Sequence, residues 1–174
     1  MLRPVGEDDM LYRVTNDFLF RPAAEQDVEG ILDIQQPGAI AGLGHIFPQE
    51  LHPFPRDAVD ERWRSEMADE ATSVYVAVGA GGQITGFTAR REDLLLHFGT
   101  ATEFWGTGLA QQLHDALVST FPGSVRRIRL HVFEENHRAR RFYEKLGWMP
   151  TGETSRTEFP PFPRLVEYAL FRYG

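Results

Sequence analysis

The strongest constraint on this chain lies between residues 94 and 133. "LLLHFGT" (94–100) is apolar at nearly every position, the pattern of a strand covered on both faces. It runs into "EFWGTGLA" (103–110). Leu109, Leu113, Ala116, Leu117 and Phe121 then recur at helical spacing until Pro122 and Gly123 stop them. "RRIRLHVF" (126–133) is a strand again. Strand, helix, strand demands a crossover, which lays two strands parallel and a helix on one face of their sheet. "SVYVAV" (73–78) and "ITGFTARRE" (84–92) flank "GAGGQ" and read as a hairpin. A hairpin followed by crossovers gives a mixed α/β sheet with helices on both faces.

The remaining segments fit around that frame. "FLFRPA" (18–23) reads as a strand. A helix follows over about 24–36, carried by Val28, Ile31 and Leu32 and ended by Pro37 and Gly38. Residues 38–55 are rich in Gly and Pro and read as a long loop with apolar content. The segment 55–69 is an amphipathic helix with Pro55 at its start and Val59, Trp63 and Met67 on one face. "NHRARRFYEKLGW" (136–148) is a short helix capped by Asn136 and stopped at Gly147. A loop over 150–163 leads to a final strand, 164–173, which offers an edge for a homodimer. Residues 1–16 lack periodicity and read as an extension; 17–174 read as a single domain.

Composition narrows the chemistry. With 174 residues and 42% hydrophobic, the chain can bury a core. There is no cysteine, which excludes disulfides, thiolate catalysis and cysteine-bound metal. No His, Asp and Glu cluster has metal-ligand spacing, so no metal is expected. The formal charge of -7 argues against a nucleic-acid partner, despite "RRIRLH" and "HRARR". No apolar run approaches the ~20 residues that span a bilayer, and "MLRPVGEDDMLYRVTND" has no signal-peptide core. A cytoplasmic protein without a membrane partner is expected.

Gly106 and Gly108 stand where a strand meets a helix. The first turn of a helix carries backbone N–H groups without intrahelical partners and a partial positive charge. Glycines there clear the approach for a phosphate, and Ala110 is small as well. No Lys-Ser/Thr follows, which excludes a P-loop; the third glycine of a dinucleotide fingerprint is lacking. A plain tight turn explains two glycines equally well.

A second block decides between these readings. "LHVF" is followed by Asn136-x-x-Ala139-x-x-Phe142-Tyr143 and then Gly147-Trp148. Together with Trp105-Gly106-Thr107-Gly108-Leu109-Ala110, it resembles the GNAT superfamily of acyl-CoA N-acyltransferases, in both motifs and their order. The resemblance implies about seven strands, two central parallel strands that splay, and four helices. It implies acetyl-CoA as co-substrate, its diphosphate on residues 105–110, and its pantetheine arm bonded to backbone around Phe98 and Thr100 beside Asn136 and Ala139. Trp105 stands where the family usually has Arg or Gln, which removes a side-chain partner for the diphosphate.

The resemblance also assigns roles. Tyr143 matches the tyrosine that protonates the leaving sulfur; a free phenol has a pKa of about 10 and holds its proton at neutral pH. His131, twelve positions before it, stands where some members carry a base, and imidazole suits that task. His97, Glu92 or a water chain are the rivals. The acceptor, a small-molecule or peptide amine, is set in this family by the 38–55 loop, the following helix and the 150–163 segment. "TEFPPFPR" is a wall of its pocket on this reading, and Glu50, Asp57 and Glu61 could attract a cationic acceptor. His45 and His52 read as loop residues. A non-catalytic acyl-CoA-binding relative is the alternative to an enzyme.

Overall fold

The structure, a computed structural model, describes residues 13–14 and 18–173. Eight strands form one sheet: β1 (Arg13–Val14), β2 (Leu19–Pro22), β3 (Thr72–Val78), β4 (Ile84–Arg91), β5 (Leu94–Thr100), β6 (Arg127–Phe133), β7 (Met149–Arg156) and β8 (Arg164–Phe171). Their order is β1-β2-β3-β4-β5-β6-β8-β7, antiparallel throughout except for the parallel pair β5 and β6. The expected extension 1–16 lies largely outside the described residues; its Arg13 and Val14 pair with Phe20 and Leu19.

Four helices cover the two faces. Helices α1 (Val28–Leu43) and α2 (Arg56–Ala68) pack on one face, where Val28, Ile31, Leu32 and Trp63 meet Val74, Val76, Phe87 and Ala89. Helices α3 (Leu109–Thr120) and α4 (His137–Lys145) cover the other, where Leu113, Leu117 and Tyr143 meet Tyr75, Leu95, Ile128 and Leu130. Alternation along β3, with Val74 and Val76 facing one way and Tyr75 and Ala77 the other, divides the two cores as the period of two requires.

Three expectations are corrected. The first helix does not stop at Pro37. It continues to Leu43, with Pro37 inside it. An interior proline costs about 3 kcal/mol of helix propensity, and tertiary packing offsets it. The second half of α1 lies against Trp105, whose ring comes within 4.0 and 3.6 Å of where a Cβ would stand on Gly38 and Gly42. The 150–163 loop contains β7, a strand whose side chains are mostly exposed. Its register against β8 breaks between Pro150 and Thr154, and Gly152 has φ 91°. An exposed, interrupted edge strand carries no alternating apolar pattern to read. β8 is consequently an interior strand, between β6 and β7, so the sheet edge expected at the final strand is β7 instead.

Candidate active site

Strands β5 and β6 are neighbours for only a short distance. Leu94 pairs with Arg129 and Leu95 with Leu130, and the Arg129 amide donates to the Asp93 carbonyl at 2.8 Å. Beyond Leu95 the strands part. The parting begins at a bulge: Ala89 pairs with His97 and Arg90 with Leu95, which leaves Leu96 as an extra residue. Between the diverging strands lies a cavity of about 590 Å³. Phe98 and Thr100 line it from β5, His131 and Phe133 from β6, and Asn136, Ala139 and Tyr143 from the start and body of α4.

One end of the cavity is the glycine bend. Gly106 and Gly108 have φ 80° and 91°, a left-handed backbone that side chains disfavour. A Cβ added at either would meet nothing within 4 Å. These glycines therefore serve the open side, not packing. Residues 106–108 are exposed, and Gly108 caps the N-terminus of α3. Among the described residues the N–H groups of Gly106, Gly108 and Ala110 have no hydrogen-bond partner, whereas that of Thr107 donates to the Phe104 carbonyl at 3.2 Å. The bend can thus bind an anion through several bare amides. Leu109 departs from the expectation: its side chain is buried in the α3 core and does not line the cavity. Thr107 is exposed and outside the lining too, with its hydroxyl turned to the Phe104 carbonyl at 2.6 Å.

Trp105 lines the cavity and also makes structural contacts. Its indole N–H donates to the Thr100 carbonyl at 3.2 Å, which occupies one acceptor site on that carbonyl. Its ring lies over α1, and the Arg138 guanidinium carbon sits 3.4 Å from the ring centroid. Arg138 lines the cavity and has no carboxylate partner among the described residues. A cation therefore stands beside Trp105 in space, two residues past the Asn136 cap. The sequence held that signal in "HRARR" without saying which arginine would matter.

Helix α4 delivers the remaining groups. The Asn136 side chain accepts the Ala139 amide at 3.2 Å, a cap that fixes where the helix begins. Tyr143, two turns in, is buried among Phe98, Phe142 and Trp148, at ring distances of 6.4, 5.3 and 5.7 Å. Its hydroxyl has no hydrogen-bond partner among the described residues, and burial pushes the phenol well above its ordinary value of 10. The group is a proton donor at any neutral pH.

Two histidines flank the gap. His131 lines it from β6, with its Nε2 3.3 Å from Glu167 on β8. Glu167 is buried and also held by Arg129, at 3.2 Å, and Thr151, at 3.1 Å. Burial pushes its carboxyl up, but those hydrogen bonds, with the charges of Arg129 and His131, outweigh burial and leave it below its ordinary value. His97 lines the gap from β5, bonded to Glu66 of α2 at 2.8 and 3.0 Å and packed on Trp63. Strict alternation would turn His97 away from Leu96; the bulge puts both on the α1/α2 face.

The other candidates fall away. Glu92 sits in the β4–β5 turn with φ 53°, at the end where β5 and β6 are still paired, far from the opening. Glu50, Asp57 and Glu61 do not line the cavity. His45 binds the Glu135 carbonyl at 2.7 Å and ties its loop to the start of α4. Arg129 and Arg140, from the two basic runs, are spent inside the protein on Asp93 and on Tyr168. Among the described residues no group of His, Cys, Asp and Glu could hold a metal ion, and no helix is long and apolar enough to cross a membrane. Phe133 and Glu167 were not singled out by the sequence, since nothing local marks residues brought together by strand pairing.

Comparison with known proteins places this geometry. A 5-NmdU N-acetyltransferase of Pseudomonas phage PaMx11 is 37% identical over 96 residues, a match that spans 52% of this chain and 66% of that protein's length. The solution structure of apo-form YjaB from Escherichia coli matches with TM-score 0.69 and 22% identity, covering 87% of this chain and 96% of that one. A spermidine N-acetyltransferase from Vibrio cholerae, solved in complex with CoA and spermine, matches with TM-score 0.66 and 20% identity over 90% of this chain and 96% of its own. These structural likenesses establish the fold, a mixed sheet with a parted central pair. The model of the acetyltransferase (GNAT) family matches residues 28–148, which contain the bend, both histidines and Tyr143, and the chain belongs to that family.

Proposed function

We propose that this protein moves an acetyl group from acetyl-CoA to a primary amine. One observation carries the reading: a parallel pair that stays together for two residues, then opens onto a cavity ending at bare amides. A pantetheine arm can lie in the opening as an added strand beside Phe98, with its diphosphate against Gly106, Gly108 and Ala110. Arg138 supplies a charge-assisted contact at the same end. The phage relative's N-acetyltransferase name and the family match support the same transfer.

The chemistry follows from what surrounds the gap. The amine must be neutral to attack, so a base has to take its proton. His131, lining the cavity and backed by Glu167, accepts that proton. The amine nitrogen then bonds to the acyl carbon, the carbon–sulfur bond breaks, and the Tyr143 hydroxyl gives its proton to the departing sulfur; the nitrogen sheds its surplus proton as the amide forms, and that proton returns the Tyr143 phenolate to the phenol. Burial of the phenol suits this step, because it keeps the proton in place until a thiolate, a strong base in a dry setting, develops beside it.

A free-thiol release assay with acetyl-CoA and a panel of primary amines tests the transfer. Acetyl-CoA should also raise the melting temperature, because a ligand that binds only the folded state stabilises it by mass action. A melting shift without thiol release on any amine would leave a coenzyme-binding relative. No shift at millimolar acetyl-CoA would end the reading altogether.

A further inference from the structure

The cavity wall contains no Asp or Glu among the described residues. Its basic members are Arg138 and Lys145, together with the two histidines. Two carboxylates, Glu66 and Glu167, stand behind those histidines and are engaged by them. A polyamine carries a second and third ammonium that need counter-charges, and this wall offers none.

What the acceptor end offers is aromatic. Phe133 lines the cavity at the end of β6. Its ring is 5.3 Å from that of Phe47, which is 6.1 Å from that of Phe159. Three segments distant in sequence thus build one row of rings leading out from the gap. Both loops that carry it are braced. In the first, the Gln49 side chain donates to the Phe47 and His52 carbonyls at 3.0 and 3.3 Å and accepts the Phe54 amide at 3.0 Å. In the second, the Phe162 amide and the Thr157 hydroxyl both bond the Phe159 carbonyl, at 2.8 and 3.0 Å. Phe159 is still 51% exposed, so the row ends in an open ring face that packing inside the protein does not use.

We propose that the acceptor is a monoamine carried on a flat aromatic or heteroaromatic group, which lies along Phe133, Phe47 and Phe159 while its amine reaches His131. This rests on the transfer reading above and names its substrate class. Ring-on-ring contact supplies orientation at low entropy cost, and a single amine arrives with no spare charge to neutralise.

The test compares kcat/KM for 2-phenylethylamine, tryptamine, n-hexylamine and spermidine at saturating acetyl-CoA. The arylalkylamines should exceed spermidine by at least about tenfold, and n-hexylamine should fall between. Phe159→Ala and Phe47→Ala should each raise the arylalkylamine KM about five- to tenfold while leaving the KM for acetyl-CoA in place. Spermidine equalling the arylalkylamines, or ring-deleted variants indistinguishable from the parent, overturns the proposal. Acetyl-CoA binding and thiol release with other amines, but none with arylalkylamines, sinks the acceptor class alone. Failure of acetyl-CoA to bind sinks the transfer reading with it.

Discussion

Two histidine–carboxylate pairs face each other across the parted strands, and they differ in how their carboxylates are committed. Glu66 has one close partner, His97, at 2.8 Å, and the pair is shut between α2 and β5 with 13% and 18% of the two side chains exposed. Burial pushes the Glu66 carboxyl up, but the His97 hydrogen bond and charge, aided by Arg62 and Arg91, leave it lowered overall. Glu167 is shared among Arg129, Arg127, Thr151 and His131; His131 is one of its looser partners, at 3.3 Å, with 38% of its side chain exposed. A tight pair on a core tryptophan is a strut that fixes β5 against α2. A ring oriented by a carboxylate with other anchors, yet open to the cavity, can take and release a proton without unsettling the fold. The same residue types thus do different work, and commitment of the carboxylate tells them apart.

The largest effect is expected at the group both histidines would need. Tyr143→Phe removes the only phenol among the described residues that lines the gap and keeps the ring that packs on Phe142 and Trp148. Turnover should fall about 10²- to 10³-fold, the range of a general acid, while acetyl-CoA affinity measured by titration changes less than about threefold. Equal turnover in the variant would take Tyr143 out of the chemistry, whichever histidine is the base.

Next come the histidines themselves. His131→Ala should lower kcat about 10- to 10²-fold and erase the acid limb of its pH profile, with little change in melting temperature, since Glu167 keeps Arg129 and Thr151. His97→Ala should do the reverse. It strands Glu66 in the interior, at a cost of about 1–3 kcal/mol of stability, and leaves the pH profile its shape. An exchange of these two outcomes would make His97 the base and His131 the surface residue.

How much of this was readable from sequence differs along the same line. The bend and the α4 cap are local: Gly106, Gly108, Asn136 and Gly147 each announce a backbone conformation that their own residue type favours, and the structure places each where expected. The crossover and its parallel pair followed from chain order alone. The histidine partners could not be read, because Glu66 and Glu167 lie 31 and 36 residues from the rings they hold and meet them only through packing and strand pairing. Strict alternation fails between Leu96 and His97 for a single cause, the bulge at Leu96, which breaks the period of two. The continuation of α1 past Pro37 was hidden for a similar reason, since a distant tryptophan offsets a local penalty.

The coenzyme end supplies a smaller test, away from both pairs. Arg138→Ala removes the cation seated on Trp105. The KM for acetyl-CoA should rise about five- to tenfold, the loss of one charge-assisted contact, with kcat for a saturated enzyme nearly unmoved. Raising the salt concentration should narrow the gap between variant and parent. An unchanged KM would assign the diphosphate to the backbone amides alone.

The smallest effect belongs to a third histidine, which shows what the pair looks like when no site is involved. His114 of α3 is buried, and its Nε2 accepts the Trp148 indole N–H at 2.9 Å. That fixes the proton on Nδ1, which donates to Asp115 at 3.0 Å. Burial lowers its pKa below the ordinary 6.5, and the Asp115 hydrogen bond only partly opposes this. The folded state therefore prefers the neutral ring. As pH falls past 6.5 the unfolded chain takes up the proton first, so stability present above 6.5 is lost on acidification. Asp27, Asp93, Glu66 and Glu167 all lie below their ordinary values of 3.8 and 4.5, so their contributions fade at lower pH. Melting curves between pH 7.5 and 5.5 cover the window in which His114 contributes and keep clear of these carboxylates. His114→Gln, which retains an acceptor for Trp148 and cannot titrate, should flatten the decline; an identical slope would place the sensitive group elsewhere, with His131 and its loosely held ring the first to examine.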